Sequence, residues 1–323
     1  MSTTKAIQIK KNGGVEVLEY VDVPSPVMKG TDVLIRNHAI GVNFIDTYHR
    51  EGIYPVSLPM VLGREGAGIV EAVGDQVTKF KVGDRVVYLS PGSYAETVAV
   101  AETMVSILPL ELSFEIGAAC LLQGLTGLTM VQEAYSIKKG DTVLIHAAAG
   151  GMGLVLTQLS KNYGATVIGT TSSTEKAELA KQVGADFVIN YTCEDVYEKV
   201  SEYTKGLGVQ AVFDGVGKDT FESSLKCCAP LATMISFGNA SGKVPPVDIL
   251  KLGAKNIKLM RTNLFNFFTT PESFHNYAFQ LLELVKSKKI TISIFKTYLL
   301  SDAHLAHSDL EGRKTTGKLV LLP

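Results

Sequence analysis

The chain has 323 residues, with 31 Lys plus Arg against 32 Asp plus Glu and a formal net charge of -1. At roughly 150 residues per domain, that length predicts two domains. Hydrophobic residues at 46% and charged residues at 20% exclude a disordered or fibrous chain, and the balanced charge argues against a protein that mainly coats nucleic acid or an anionic membrane.

No apolar run approaches the roughly 20 residues that span a bilayer. Met1 to Lys11 is polar and lacks the apolar core of a signal peptide. Cys120, Cys193, Cys227 and Cys228 show no CxxC and no Cys/His pair at zinc spacing, so we expect ordinary thiols, no metal and a reduced, cytoplasmic setting.

Along the first third, Val33 to Asn37, Gly68 to Gly74 and Gly83 to Tyr88 read as short strands punctuated by Gly and Pro turns, which predicts a small irregular β-barrel or sandwich. From about Leu125 the pattern changes to strand–helix alternation. Thr142 to His146, Thr166 to Gly169, Phe187 to Ile189, Ala211 to Phe213 and Ala232 to Phe237 read as strands. Leu154 to Asn162, Ser173 to Val183, Glu194 to Thr204 and Phe221 to Cys228 read as the helices between them. Such alternation predicts a doubly wound parallel sheet, an α/β lobe beside the β-rich one. The tail carries a long helix, Glu272 to Ser287, and strand-like pieces such as Lys318 to Leu322. Composition does not assign this tail to either lobe.

The segment Thr142-Val-Leu-Ile-His-Ala-Ala-Ala-Gly-Gly-Met-Gly153 is a buried strand feeding a glycine-rich turn that opens a helix. It fits the dinucleotide fingerprint with Ala148, Gly150 and Gly153 at the three small-residue positions, so that Gly150, Gly151, Met152 and Gly153 face a pyrophosphate. The competing reading is a tight turn in an unrelated α/β protein. About 20 residues further on, where NAD enzymes carry a carboxylate, the chain has Thr170-Thr171-Ser172-Ser173-Thr174, with Lys176 behind. Hydroxyls and a cation suit a 2′-phosphate, so Ser172, Ser173 and Lys176 point to NADPH over NADH. Glu175 argues the other way unless it only serves its helix dipole. Tyr191 ends the third strand and either meets the adenine or packs on the surface. Gly215-Val216-Gly217 and Phe237-Gly238-Asn239-Ala240 fall at carboxyl ends of parallel strands, where open α/β sheets place ligands. There Val216, Phe237, Gly238, Asn239 and Ala240 become candidate nicotinamide contacts.

Several motifs together resemble the zeta-crystallin-like quinone oxidoreductases, zinc-free medium-chain dehydrogenases/reductases, over essentially the whole length. They are Gly41-Val-Asn-Phe-Ile-Asp-Thr-Tyr-His-Arg-Glu-Gly-Ile-Tyr-Pro55, Gly63-Arg-Glu-Gly-Ala-Gly-Ile-Val70, the Val73 to Val86 segment, Gln123-Gly-Leu-Thr126 and Ser236-Phe-Gly-Asn239. The resemblance implies a GroES-like β-barrel catalytic domain, 1–124 and 265–323, with a Rossmann NADPH-binding domain, 125–264, inserted. It also implies a homodimer and a site in the interdomain cleft. Zinc alcohol dehydrogenases of the superfamily place a Cys near Asn43 or Phe44 and a His where this chain has Arg64, and hold four clustered cysteines after their Gly-Asp-Arg-Val segment. This chain has none of these, which argues against zinc and alcohol oxidation.

By the same resemblance Asn43, Phe44, Asp46 and Tyr48 lie on a loop lining the nicotinamide end. Tyr48 either hydrogen-bonds a substrate carbonyl and relays a proton or only shapes the pocket; Tyr54 is a second donor. Gln123, Thr126 and Thr129 either fall beside the nicotinamide ribose or only hydrogen-bond exposed backbone at the domain crossing, and Asn263, Leu264 and Phe265 touch the nicotinamide. Arg313, Thr315 and Lys318 reach the adenosine phosphate or only cap the last strand. Arg50, Arg64 and Glu65 read as an ion pair across loops, His304 and His307 as solvated surface residues, and His146 as a satisfied core histidine. Cys227-Cys228 reads as redox-inert.

The expectation is an NADPH:quinone reductase acting by hydride or single-electron transfer. An enone or 2-alkenal reductase is the alternative within enzymology. A protein binding AU-rich RNA, as some relatives do, is the alternative outside it, against which the lack of a basic, aromatic-interleaved stripe counts.

Overall fold

In the computed structural model, which describes Ser2–Pro323, the chain folds as an α/β protein of two compact units. One runs through Leu125 and resumes at Phe268–Pro323; the other is Thr126–Phe267. The sequence reading put these breaks at 124/125 and 264/265.

The discontinuous unit is built on a seven-stranded sheet. Its order is Ile294–Leu299, Lys318–Leu322, Asp32–Val42, Glu65–Val73, Arg85–Leu89 and Val105–Ile107, with Thr97–Ala101 also pairing along Asp32–Val42. A smaller sheet sets Thr3–Ile9 between Glu19–Pro24 and Met60–Val61. Asp32–Val42 is long enough, at 11 residues, to pair with three neighbours, and it is the strand on which the tail is docked through Leu319↔Val42 and Val320↔Gly41. Its alternation buries Val33 and Ile35 in one core cluster, and Ile40 is buried in another, each such side chain contributing about 1.5–3 kcal/mol of apolar transfer.

The continuous unit is a six-stranded, wholly parallel sheet ordered Phe187–Asn190, Thr166–Thr171, Thr142–Ile145, Val209–Asp214, Cys228–Ser236, Lys258–Arg261. The chain order reverses between Thr142–Ile145 and Val209–Asp214, the switch point beside which such sheets bind ligands. Helices Gly151–Asn162, Thr174–Gln182, Val196–Tyr203 and Phe221–Cys227 make the crossovers. The predicted alternation is therefore present element by element, with ends moved by a few residues.

Three features depart from the sequence reading. The segment Phe44–Glu51 is a helix rather than a loop, because Asn43 takes an extended N-cap conformation and Gly52 ends the helix in the left-handed region. A second helix, Phe114–Thr129, closes in a π turn at Met130–Ala134. The run Phe114–Ala134 has the length and apolarity to cross a membrane, contrary to the expectation that no segment does, but it is mostly buried inside the protein as a core helix. The tail adds a further helix, Ala303–Glu311.

Candidate active site

In the parallel-sheet unit, the strand Thr142–Ile145 feeds a turn in which Ala147 has φ 52° and Gly150 stands extended at the N-terminus of Gly151–Asn162, with no side chain capping it. A Cβ on Gly153 would lie 2.3 Å from the Ala147 carbonyl oxygen and 2.6 Å from Ala148 Cα, so only glycine lets helix and turn pack this closely. The turn is braced from below. His146 Nε2–H donates to Ser224 Oγ at 2.9 Å and Ser224 donates to Asp214 at 2.7 Å, while Thr170 Oγ1 lies 3.1 Å from His146 Nδ1 and accepts from the Ala147 N–H at 3.3 Å. His146 is thus a satisfied core histidine. Burial lowers its pKa, partly opposed by Asp214.

Asp214, fully buried at the carboxyl end of its strand, also accepts from the N–H groups of Val216 at 2.9 Å and Gly217 at 3.0 Å and from Thr220 Oγ1 at 2.8 Å. It therefore fixes the loop carrying Val216, a role the sequence reading missed because a strand-end aspartate looks like any turn residue. Phe237, Gly238, Asn239 and Ala240 follow the neighbouring strand; Phe237 N–H donates to Asp214 O at 2.9 Å, and a Cβ on Gly238 would lie 2.2 Å from the Gly215 carbonyl oxygen. The two candidate loops are held side by side. Asn263, Leu264 and Phe265 come after the last strand, with Leu264 buried and Asn263 Oδ1 accepting from Phe265 N–H at 3.1 Å. Thr129 is buried, its hydroxyl donating to Thr126 O at 3.1 Å.

Ser172 and Ser173 follow the strand Thr166–Thr171 directly, and Ser173 caps Thr174–Gln182 by accepting from Lys176 N–H at 3.3 Å. Glu175 is held below the usual carboxylate range chiefly by a hydrogen bond from Ser173, so its carboxylate serves the helix start. Tyr191 is exposed beyond the third strand, its N–H donating to Thr171 O at 3.1 Å. A glycine-only turn at an uncapped 12-residue helix, followed by hydroxyls where a carboxylate would select NAD, fits a phosphorylated dinucleotide.

In the discontinuous unit, helix Phe44–Glu51 is anchored from both sides. Its N-cap Asn43 donates from Nδ2 to Glu65 Oε1 at 2.7 Å and accepts at Oδ1 from Lys318 Nζ at 2.5 Å. Lys318 Nζ also reaches Glu65 Oε1 at 2.6 Å, and Glu65 Oε2 accepts from Leu122 N–H at 2.6 Å. Glu65 is 0% and Lys318 2% exposed. Lys318 is consequently neither a phosphate contact nor a strand cap: its ammonium is spent inside the unit. Gln123, half-buried, directly follows Leu122.

A second chain of bonds runs from Asp46 to the tail. Asp46 Oδ2 accepts from Asn43 N–H at 2.9 Å and Tyr94 O–H at 3.0 Å; Tyr94 Oη is 3.1 Å from His307 Nε2, and His307 Nδ1 is 3.1 Å from Arg50 Nη1. Arginine only donates, so His307 Nδ1 accepts and Nε2–H gives to Tyr94, a neutral imidazole fixed in one tautomer. Burial, then the Arg50 charge, pushes the His307 pKa down to about 3. Burial raises Asp46 to about 7. Arg50 ends in Glu311 at 2.6 Å and Glu51 at 2.8 Å. The sequence reading is corrected twice here. His307 is fully buried rather than solvated, because helix Ala303–Glu311 packs its face inward, and Arg50, Arg64 and Glu65 do not pair with one another but with Glu311, His49 and Lys318.

Tyr48 is buried, its ring 5.4 Å from Tyr54 and 6.2 Å from Phe44. Tyr54 is half-buried, and its N–H donates to Tyr48 O at 3.2 Å. Arg313 and Thr315 lie between helix Ala303–Glu311 and strand Lys318–Leu322, with Arg313 exposed; they belong to this unit and not to the parallel sheet.

Residues 151–284 match the family described as zinc-binding dehydrogenase, and residues 29–110 the alcohol dehydrogenase GroES-like domain. The donors do not suit zinc: Arg64 and Lys318 are cations, the Asn43 amide is committed to Glu65 and Lys318, and no cluster of three or more His, Cys, Asp or Glu that could hold a metal exists among the described residues. The chain is 46% identical over 323 residues to a quinone oxidoreductase of Pseudomonas aeruginosa, covering 99% of each. It is 40% identical to a 2-haloacrylate reductase of Burkholderia, covering 98% of each. The crystal structure of Escherichia coli quinone oxidoreductase complexed with NADPH superposes with a TM-score of 0.96 at 41% identity, covering 99% of this chain and 100% of that one.

Proposed function

Because the chain belongs to the quinone oxidoreductases of the medium-chain dehydrogenase/reductase superfamily, we propose that it is an NADPH-dependent quinone oxidoreductase working without zinc. The observation that carries this is the full-length likeness to quinone oxidoreductases, one solved with NADPH, joined to a phosphate turn whose second strand ends in Ser172-Ser173 with Lys176 behind.

When bound, NADPH supplies the hydride. The backbone of Gly150, Gly151, Met152 and Gly153 holds the pyrophosphate, and Ser172, Ser173 and Lys176 hold the 2′-phosphate, with Tyr191 at the adenine. Val216 and Phe237–Ala240, braced by Asp214, hold the nicotinamide side, with Asn263–Phe265, Thr126 and Thr129 as further contacts. Phe44, Asp46, Gln123, Arg313 and Thr315 are cofactor contacts by resemblance alone.

Reduction of a quinone also takes up a proton on oxygen. The Tyr48 hydroxyl holds the substrate oxygen and passes it that proton, with Tyr54 beside it and Asn43 setting the helix start that aims Tyr48.

A conjugated-alkene reductase is the second reading, favoured by the 2-haloacrylate reductase at 40% identity. The test is a titration of NADPH and NADH by cofactor fluorescence, followed by turnover of a naphthoquinone against a 2-alkenal. NADPH selectivity with quinone preference is expected; a strong alkenal preference overturns the first reading.

A homodimer is supported by the exposed Leu231, on the strand next to the edge strand Lys258–Arg261, and the exposed Ile249 and Leu250 in the segment before it, and sedimentation would show twice the chain mass. A cytoplasmic setting is supported by four unpaired cysteine thiols.

A further inference from the structure

Seven buried side-chain atoms among the described residues have no partner, and four of them lie around one short segment, Gly63–Arg64: Asp46 Oδ1, His49 Nδ1, Arg64 Nε and Ser93 Oγ. Asp46 and His49 are one turn apart on the helix Phe44–Glu51, Arg64 Nη2 is 3.1 Å from His49 Nε2, and Ser93 Oγ abuts Gly63. Each unmet buried polar group costs about 1–3 kcal/mol. Such clustering in one place is how a fold keeps donors ready for a ligand.

The directions of these groups follow from chemistry. A guanidinium only donates, so Arg64 gives a hydrogen to His49 Nε2, and the neutral imidazole must carry its own hydrogen on Nδ1. Burial, then the Arg64 charge, holds the His49 pKa down to about 4, so the ring is neutral near pH 7. The pair therefore presents two N–H groups, His49 Nδ1–H and Arg64 Nε–H, that no acceptor on the chain meets. The Nδ1–H points away from the ring edge that accepts from Arg64, so the donor left on the Arg64 side is Nε–H, and a charged donor calls for an oxygen. His49 is 4% exposed, whereas Arg64 is only half-buried. The pair also stands at the end of a row of rings: His49 is 6.1 Å from Tyr54, Tyr54 is 5.4 Å from Tyr48, and Tyr48 is 6.2 Å from Phe44. Aromatic faces ending in a cationic donor suit a flat, electron-poor ring that carries a carbonyl.

We propose that Arg64, its guanidinium held in place by His49 Nε2, is a catalytic donor whose Nε–H binds a substrate carbonyl oxygen conjugated to the bond receiving hydride, a quinone oxygen on the reading above, and stabilises the negative charge that collects there, with His49 as its positioning residue. With NADPH bound, one C–H bond of its dihydronicotinamide would break as one new bond to hydrogen forms on the quinone, and the electron pair carried with that hydrogen is delocalised onto the carbonyl oxygen. The Arg64 Nε–H meets that charge, and a proton from Tyr48 or solvent then neutralises it, giving the hydroquinone. Arg64 keeps its own proton throughout. The pair strengthens its hold as charge develops, so its loss falls mainly on kcat. This inference rests on the proposed function, and the test separates the two.

Arg64→Ala, Arg64→Lys and His49→Phe are compared with wild type for NADPH affinity, thermal melting, and kcat and KM on 1,4-naphthoquinone and a 2-alkenal. Expected are a roughly 10- to 100-fold fall in kcat for Arg64→Ala and about tenfold for His49→Phe, with KM moved less than about threefold and NADPH affinity retained. Partial recovery is expected in Arg64→Lys, as is recovery of Arg64→Ala by millimolar guanidinium but not by equal sodium chloride. If Arg64→Ala does not fold, His49→Phe and Arg64→Lys decide. Wild type active on the quinone with kcat within about twofold in all variants overturns Arg64 as donor and leaves the quinone reading standing. Wild type active only on the alkenal overturns the quinone reading, and the same kcat loss on the alkenal supports the pair. Wild type inactive on both overturns both.

Discussion

Lys318→Met is the sharpest probe of how the discontinuous unit is held together. In the native chain the ammonium lies 2.6 Å from Glu65 Oε1 and 2.5 Å from Asn43 Oδ1. Removing it leaves the Glu65 carboxylate, 0% exposed, with only the Asn43 Nδ2 and Leu122 N–H donors. Stripping one partner from a buried ion pair costs about 3–5 kcal/mol, because the remaining charge has been taken out of water. For a unit of this size each kcal/mol moves Tm by about 2–4 °C, so the variant should melt roughly 6–20 °C lower.

Glu65→Gln combined with Lys318→Met removes both charges at nearly constant volume and should recover most of that loss. Urea unfolding followed by circular dichroism, run as a double-mutant cycle, measures the coupling, expected at about 2 kcal/mol or more. A Lys318→Met chain within about 1 kcal/mol of wild type, or strictly additive variants, would refute the ion-pair reasoning. A selective loss of NADPH over NADH with stability unchanged would instead return Lys318 to the cofactor phosphate.

Other outcomes follow from the same geometry. Gly153→Val brings a side chain to 2.3 Å from the Ala147 carbonyl oxygen, both sides of the clash being backbone, and NADPH affinity measured by fluorescence should fall more than about tenfold. Lys176→Glu should raise the NADPH Kd roughly 10- to 100-fold while moving the NADH Kd less than about threefold; equal losses would place the 2′-phosphate elsewhere. His307 is neutral in the fold with its pKa near 3, whereas the unfolded chain takes up a proton below the usual value of 6.5. Stability is therefore lost as pH falls from 6.5 toward 3, by up to about 1.4 kcal/mol per pH unit from this group. His307→Gln, which can accept from Arg50 and donate to Tyr94 without titrating, should flatten that slope in urea melts at pH 4 to 7.

The parallel-sheet unit was legible in the chain because its signals are local. A β-branched run, a glycine turn and a helix pattern stand within a dozen positions of one another from Thr142 to Gly153, and the hydroxyls that replace a carboxylate follow at Ser172 and Ser173. Short-range sterics alone dictate that Gly153 carry no side chain. The helix Phe44–Glu51 was read as a loop because its start depends on Asn43 and Asp46 capping each other in an otherwise unremarkable polar stretch.

By itself, then, the sequence determined the strand–helix alternation, the phosphate turn, the choice of cofactor and the poverty of zinc donors, since each depends on neighbours along the chain. The tertiary structure alone decided what becomes of the charged residues. Lys318 meets Glu65 across 253 positions and Asn43 across 275, and His307 meets Arg50 across 257 and Tyr94 across 213. Whether a lysine binds a phosphate or is consumed in a buried pair depends on the dielectric around it and the groups within 3 Å. Neither is set until the tail strand Lys318–Leu322 docks on Asp32–Val42.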